Sequence, residues 1–212
     1  MTTPVLIGLI ILFGMILAWV LHGRSARRMT PILRRLAAES NGVVESKNPF
    51  VMPKLLYSHA GMDVEVSNAS TGIDGHSVEF TYVLFKGLPP HDFEFRILPR
   101  SIQTFADEWA GFKKAMAIDA RRLKTRFAIR TNDDGLMQTL LSDHIQDDLL
   151  CWAERKTNWL SDVRTYDDKL IYAVTGMPGD YDEFRLLLDT ACRFVDAVVR
   201  VCPKGAGASN DI

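Results

Sequence analysis

The chain has 212 residues, 47% hydrophobic and 24% charged, with a formal net charge of −1. All 26 acidic residues lie at or beyond Glu39, whereas five of the 25 basic residues lie at or before Arg35, so the chain beyond Arg35 holds 20 basic against 26 acidic groups, a net −6. That balance argues against nucleic acid, which requires a basic face, and the length beyond Arg35 suffices for one domain with its own core.

The first element is apolar. Thr2 to Gly23 contains no charged residue, and Val5 to Leu21 is apolar apart from Gly8 and Gly14. At about 1.5 Å per residue this stretch reaches the short end of a hydrocarbon layer, with Trp19 at an interface. The N-terminus carries no Lys or Arg, and no small-residue cleavage site follows, so a transmembrane anchor over 1–23 is expected rather than a signal peptide. Gly8 and Gly14 are six apart and do not form a small-xxx-small dimer face. Arg24, Arg27, Arg28, Arg34 and Arg35 follow the span. The positive-inside tendency then predicts the N-terminus outside and the C-terminal domain in the cytoplasm.

Residues 24–42 read as a basic juxtamembrane segment and a short helix. Thr30-Pro31 supplies a capping hydroxyl and a first-turn proline; Ile32, Leu33 and Leu36 give one apolar side; Asn41-Gly42 ends it. An α+β domain is expected over 43–203. Leu55–Ser58 and Met62–Val66 flank Ala60-Gly61 as a hairpin, with Met62, Val64 and Val66 on a buried face. Asn68–Gly75 reads as a loop by composition. Val78, Phe80, Tyr82 and Leu84 alternate in the next strand, and Val83 and Phe85 on its other side predict a central position or a second covering layer. Phe93, Phe95 and Ile97 form a further strand.

Phe105, Trp109 and Phe112 have helical spacing. Arg126–Thr131 reads as a strand, and Asn132-Asp133-Asp134 opens a helix lined by Met137, Leu140, Leu141, Ile145 and Leu149. Trp159–Arg164 and Leu170–Thr175 read as two strands around Tyr166-Asp167-Asp168. The last helix has capping-box spacing at Asp180 and Glu183 and a stripe of Phe184, Leu187, Leu188, Ala191, Val195, Val198, Val199 and Cys202. Its other face, Asp182, Arg185, Asp189, Arg193, Asp196 and Arg200, alternates in sign and predicts pairing along the helix. Residues 204–212 read as a disordered tail. Hairpin-length connections predict a two-layer α+β fold: a mostly antiparallel sheet covered by helices, behind one N-terminal transmembrane helix.

The chemistry-bearing residues form no strong motif. His144 and Asp148 are one helical turn apart, which is metal-ligand spacing, but zinc helices pair two histidines, and this His borders the apolar stripe. Asp133-Asp134 and Asp167-Asp168 fit helix capping and turn chemistry. His59, His76 and His91 lie near strand ends or loops. There is no nucleophile elbow, phosphate loop or GxGxxG, and no cofactor is expected. Cys151, Cys192 and Cys202 read as free thiols of a reducing compartment; the last two lie ten apart on one helix, about 15 Å along its axis and too far to bridge. Lys113, Lys114, Arg121 and Arg122, continued by Lys124, Arg126 and Arg130, form the densest basic run. It reads as a solvated face, with anionic lipid or an acidic partner as its functional alternatives.

Leu33–Gly42 (LRRLAAESNG), Arg126–Leu150 (RFAIRTNDDGLMQTLLSDHIQDDLL), the two following strands and the terminal amphipathic helix together resemble uncharacterised bacterial single-span membrane-anchored α+β proteins. The resemblance implies an α+β domain on a single span, and with it a bacterial inner membrane, and carries no activity. The reading of function is a non-enzymatic accessory or scaffold subunit that binds a protein partner or larger complex at the membrane. The rivals are an anchored hydrolase or metal enzyme using the acidic helix with a histidine, and a module binding anionic lipid. The sequence does not determine the oligomeric state.

Overall fold

The computed structural model describes residues 13, 28–46, 52–73, 76–100, 121–155 and 159–202. It divides into two compact units, Met1–Tyr57 and Ser58–Ile212.

In the first unit, residues 28–40 are helical (α1) and bury Met29, Leu33, Leu36 and Ala37. Thr30-Pro31 lies inside this helix and not at its start. The helix ends where Asn41 turns left-handed at φ 52°, which lets Gly42 N donate to Ala37 O at 2.8 Å. That is a Schellman closure with asparagine in the position more often held by glycine. Gly42 serves a different need: a Cβ there would lie 2.6 Å from Leu56 O. The tight approach belongs to the antiparallel pair β1 (Val43–Glu45) and β2 (Lys54–His59), in which Val43 faces Leu56.

The second unit begins at the end of β2. Ala60 (φ 50°) and Gly61 (φ 83°) make a two-residue turn into β3 (Met62–Ile73). Both central residues take positive φ, as a turn matched to strand twist requires. Next come β4 (His76–Lys86), β5 (Phe95–Pro99), α2 (Arg121–Lys124), β6 (Phe127–Thr131), α3 (Asp134–Leu140) and α4 (Asp143–Ala153). Strands β7 (Leu160–Tyr166) and β8 (Lys169–Thr175) and helix α5 (Tyr181–Val201) complete it. The strand order within this unit is β3-β4-β8-β7-β5-β6, with neighbours antiparallel throughout.

The eight antiparallel strands and their helices are α+β, but the anchored fold class is corrected. No helix among the described residues is long and apolar enough to cross a membrane. That overturns the N-terminal transmembrane helix, and with it the inner-membrane placement and orientation. The stretch that suggested it, with Val5, Trp19 and Leu21, lies outside the described residues except Phe13; so do Arg24, Arg27, the 103–114 segment with Lys113 and Lys114, and the tail 204–212.

Two further corrections have physical causes. Of the expected loop Asn68–Gly75, residues 68–73 are strand: the β3–β4 ladder runs from Asp63↔Lys86 to Ile73↔His76, and residues 74 and 75 lie outside the described residues. The ladder is made of backbone groups, so Asn, Ser and Gly join it despite their turn preference. The single helix expected after Asn132 is two, broken at Leu141 (φ −79°, ψ 49°), with Ser142 opening the second. Asp133 caps the first as its sequence suggests, accepting from Leu136 N at 2.9 Å.

The core lies between the sheet and α5. Helix α5 starts at Asp180, whose Oδ1 accepts from Glu183 N at 2.9 Å; Glu183 Oε2 accepts in return from Gly179 N, one residue earlier than a standard capping box. Its buried stripe includes Phe184, Leu187, Ala191, Val195 and Val198, plus Phe194. The Phe194 ring sits 5.8 Å from Tyr172 and 5.9 Å from Phe95, so the helix rests on β8 and β5. Trp152 of α4 donates from Nε1 to Thr190 Oγ1 at 3.0 Å, locking α4 to α5. One register row crosses six strands as Val66, Val83, Tyr172, Val163, Ile97 and Ile129, and every member is buried. The strand expected to be central is central: β4 lies between β3 and β8.

Candidate functional site

The row one residue further along lies on the opposite sheet face and reads Glu65, Leu84, Ile171, Arg164, Arg96 and Arg130. It changes from apolar to charged as it crosses from β4 and β8 to β7 and β5. Val78, Phe80, Tyr82 and Leu84, which alternate along β4, stand half-exposed on this face. A concavity of about 500 Å³ opens here, floored by Val78, Phe80, Tyr82, Ile171 and Ala173 and closed by Leu98 and Trp159. Its size falls in the usual range for small-ligand sites, and its lining is mainly apolar.

The polar end is built from three strand residues. Arg96 Nε donates to Asp162 Oδ1 at 2.9 Å and Nη2 to Oδ2 at 3.0 Å, a bidentate pair with both side chains mostly buried. Arg164 stands directly opposite Arg96 across the ladder. Like charges in that position repel, and Asp162 lies between them. Arg164 reaches Asp162 Oδ2 only at 3.5 Å, its Nε makes no hydrogen bond, and its guanidinium sits 5.6 Å from the Tyr166 ring centre. A β-bulge between Leu160 and Asp162 makes Ser161 the extra residue of β7. Ser161 lines the concavity at 3% exposure with no partner for its hydroxyl. Bulges re-aim side chains beside functional sites. Trp159, 40% exposed, stands at the rim.

A smaller hollow of about 310 Å³ lies beyond Trp159, with Arg100, Arg126 and Arg155 in its wall. Arg155 donates from Nη2 to Glu183 Oε1 at 3.1 Å and lies 4.8 Å from the centre of the Trp152 ring.

No family model and no curated protein matches the chain. Among solved structures, it is similar to the mycobacterial trehalose monomycolate transport factor A, TtfA, with a TM-score of 0.50 at 9% identity, over 84% of this chain and 96% of that one. At that identity the likeness concerns the fold.

The residues singled out in the sequence are scattered. Asp148 accepts both arms of Arg193, at 2.8 and 2.7 Å, and that bond holds the Arg193 guanidinium above its usual range. The aspartate therefore ties α4 to α5, while His144 is exposed. Among the described residues no three His, Cys, Asp or Glu side chains are disposed to hold a metal ion. His59 Nε2 lies 2.9 Å from Asp196 Oδ1, and the ring nitrogens of His91 are buried without a hydrogen bond. Arg193 and Asp196, expected to pair along α5, thus reach other elements, while Arg185 and Asp189 pair at the expected spacing, at 3.1 Å.

The basic residues divide similarly. Arg122 pairs with Asp147 at 2.8 Å, Arg121 begins α2, Arg28 and Arg34 are exposed, and Arg35 pairs with Glu39 at 3.4 Å. Burial raises the Cys202 thiol above its usual range, and neither Cys151 nor Cys202 is in a disulfide. Arg96, Asp162, Arg164 and Ser161 were not among the sequence candidates. The available signal was Arg96 between Phe95 and Ile97, and Asp162 and Arg164 at alternate positions of β7, which reads equally well as an ordinary wet face.

Proposed function

We propose that the chain is an accessory subunit that works by binding, and that the open sheet face of its second unit receives a protein component of a larger membrane complex. The observation that carries this reading is the concave apolar face itself: Phe80, Tyr82, Leu84 and Ile171 stay half-exposed while the reverse face of the same strands is buried. Exposed apolar surface rimmed by polar groups marks a contact site. The name of the similar structure, a transport factor, supports an accessory role. The reading assigns no catalytic step.

A photo-crosslinking amino acid placed at Tyr82 in the full chain tests it, with the same group at Arg185, on the charged side of α5, as control. The expected result is one protein joined reproducibly from position 82 and not from 185, identified by mass spectrometry. Equal adducts from both positions, or none from either, would overturn the reading.

A further inference from the structure

The concavity is amphipathic across the strands. Its β4 and β8 side is a hydrocarbon-like floor, and its β7 and β5 side holds two arginines against one aspartate. Arg96 turns Nε and Nη2 to Asp162 in a bidentate pair that balances the one carboxylate, so Arg164 carries the excess charge. Its Nε makes no hydrogen bond, and neither does the buried Ser161 hydroxyl. Buried polar atoms without partners are uncommon in native proteins and call for a ligand or water to complete them.

We propose that this concavity binds a single-chain carboxylate amphiphile, such as a fatty acid, with its carboxylate between Arg164 and Ser161 and its chain along Phe80, Tyr82 and Ile171. The inference rests on the open face being the binding face. One excess positive charge matches one carboxylate; a phosphate dianion would leave a second negative charge uncompensated in a largely apolar site. A cationic amphiphile meets the wrong sign. A neutral alcohol of the same chain fills the floor but brings no negative charge to the Arg164 Nε.

The test is photolabelling of the full chain with a diazirine analogue of dodecanoate, followed by peptide mapping. Saturable labelling of β4 and β8 peptides is expected. Dodecanoate should compete about tenfold better than dodecanol, dodecyl phosphate or dodecyltrimethylammonium, the size of one lost charge-assisted bond. Arg164→Gln should weaken labelling by about the same factor while the thermal midpoint holds, because that guanidinium is partly exposed. Ala173→Phe should block labelling by filling the floor beside Tyr82. Labelling that does not saturate, that maps elsewhere, or that dodecanol or dodecyl phosphate suppresses equally well would overturn the proposal, as would an unaffected Arg164→Gln. Protein cross-links from position 82 without amphiphile labelling would sink this inference and leave the accessory reading standing; amphiphile labelling without protein cross-links would do the reverse.

Discussion

The two faces of the second unit's sheet are made by the same strands, yet they do different work. The face under α5 is a row of Val66, Val83, Tyr172, Val163, Ile97 and Ile129, closed by Phe194 and sealed from water. The opposite face, displaced by one residue, holds Leu84, Ile171, Arg164 and Arg96 around an open hollow. Apolar residues occur on both. The difference shows that hydrophobic alternation builds a strand, whereas the presence of a covering helix decides whether a given face becomes core or surface.

The sharpest way to break this comparison is to truncate one phenylalanine on each side. Phe194→Ala leaves a cavity against Tyr172 and Phe95 and should cost about 3–5 kcal/mol, the range for buried aromatics. Phe80→Ala on the open face should cost about 1 kcal/mol, since half-exposed rings bury only part of their area. Denaturant titration of both variants checks the contrast, and equal losses would mean that the open face is structural core.

Next in size is the charge cluster. Asp162→Asn removes the carboxylate that separates Arg96 from Arg164 and should cost about 3 kcal/mol, the low end for breaking a mostly buried pair. The loss should shrink in the double variant with Arg164→Gln, which also removes the repulsion; a double-mutant cycle measures that coupling.

The smallest expected effect belongs to the covered face at high pH. Complete burial raises the Tyr172 phenol well above its usual value of 10.0, with its neighbours contributing less. The unfolded chain therefore releases this proton first. The stabilisation is fully present below about pH 10 and declines above it, by at most about 1.4 kcal/mol per pH unit. Tyr172→Phe should flatten that part of the stability–pH curve. An unchanged slope would assign the alkaline loss to other groups.

Much of the fold was legible. Asp133 and Asp180 cap the helices whose starts they announce, Ala60-Gly61 turns the hairpin, and the Met62, Val64, Val66 alternation is buried as read. These features depend on local chemistry. What failed within the described residues depended on partners outside the segment itself. Asn68–Gly75 looked like a loop because its side chains favour turns, but backbone pairing with β4 makes residues 68–73 strand. Asp148 stands at metal-ligand spacing from His144, but its partner is Arg193, 45 residues away. The N-terminal apolar run gave a clear membrane signal, yet no helix among the described residues is long and apolar enough to cross.

The candidate site was the least legible part. Its charged members come from β5 and β7, separated by 66 residues between Arg96 and Asp162. Ser161 enters it because a bulge shifts one residue of β7, a change that period-two patterning cannot carry.

The sequence by itself determined the α+β class, most strand and helix positions, the caps and the amphipathic last helix, because these follow from short-range periodicity and hydrogen-bonding chemistry. The tertiary structure alone decided which sheet face α5 covers, which carboxylate each arginine takes, and where the hollow opens. Those outcomes depend on strand order and register, which bring distant residues together and leave no local trace in the chain.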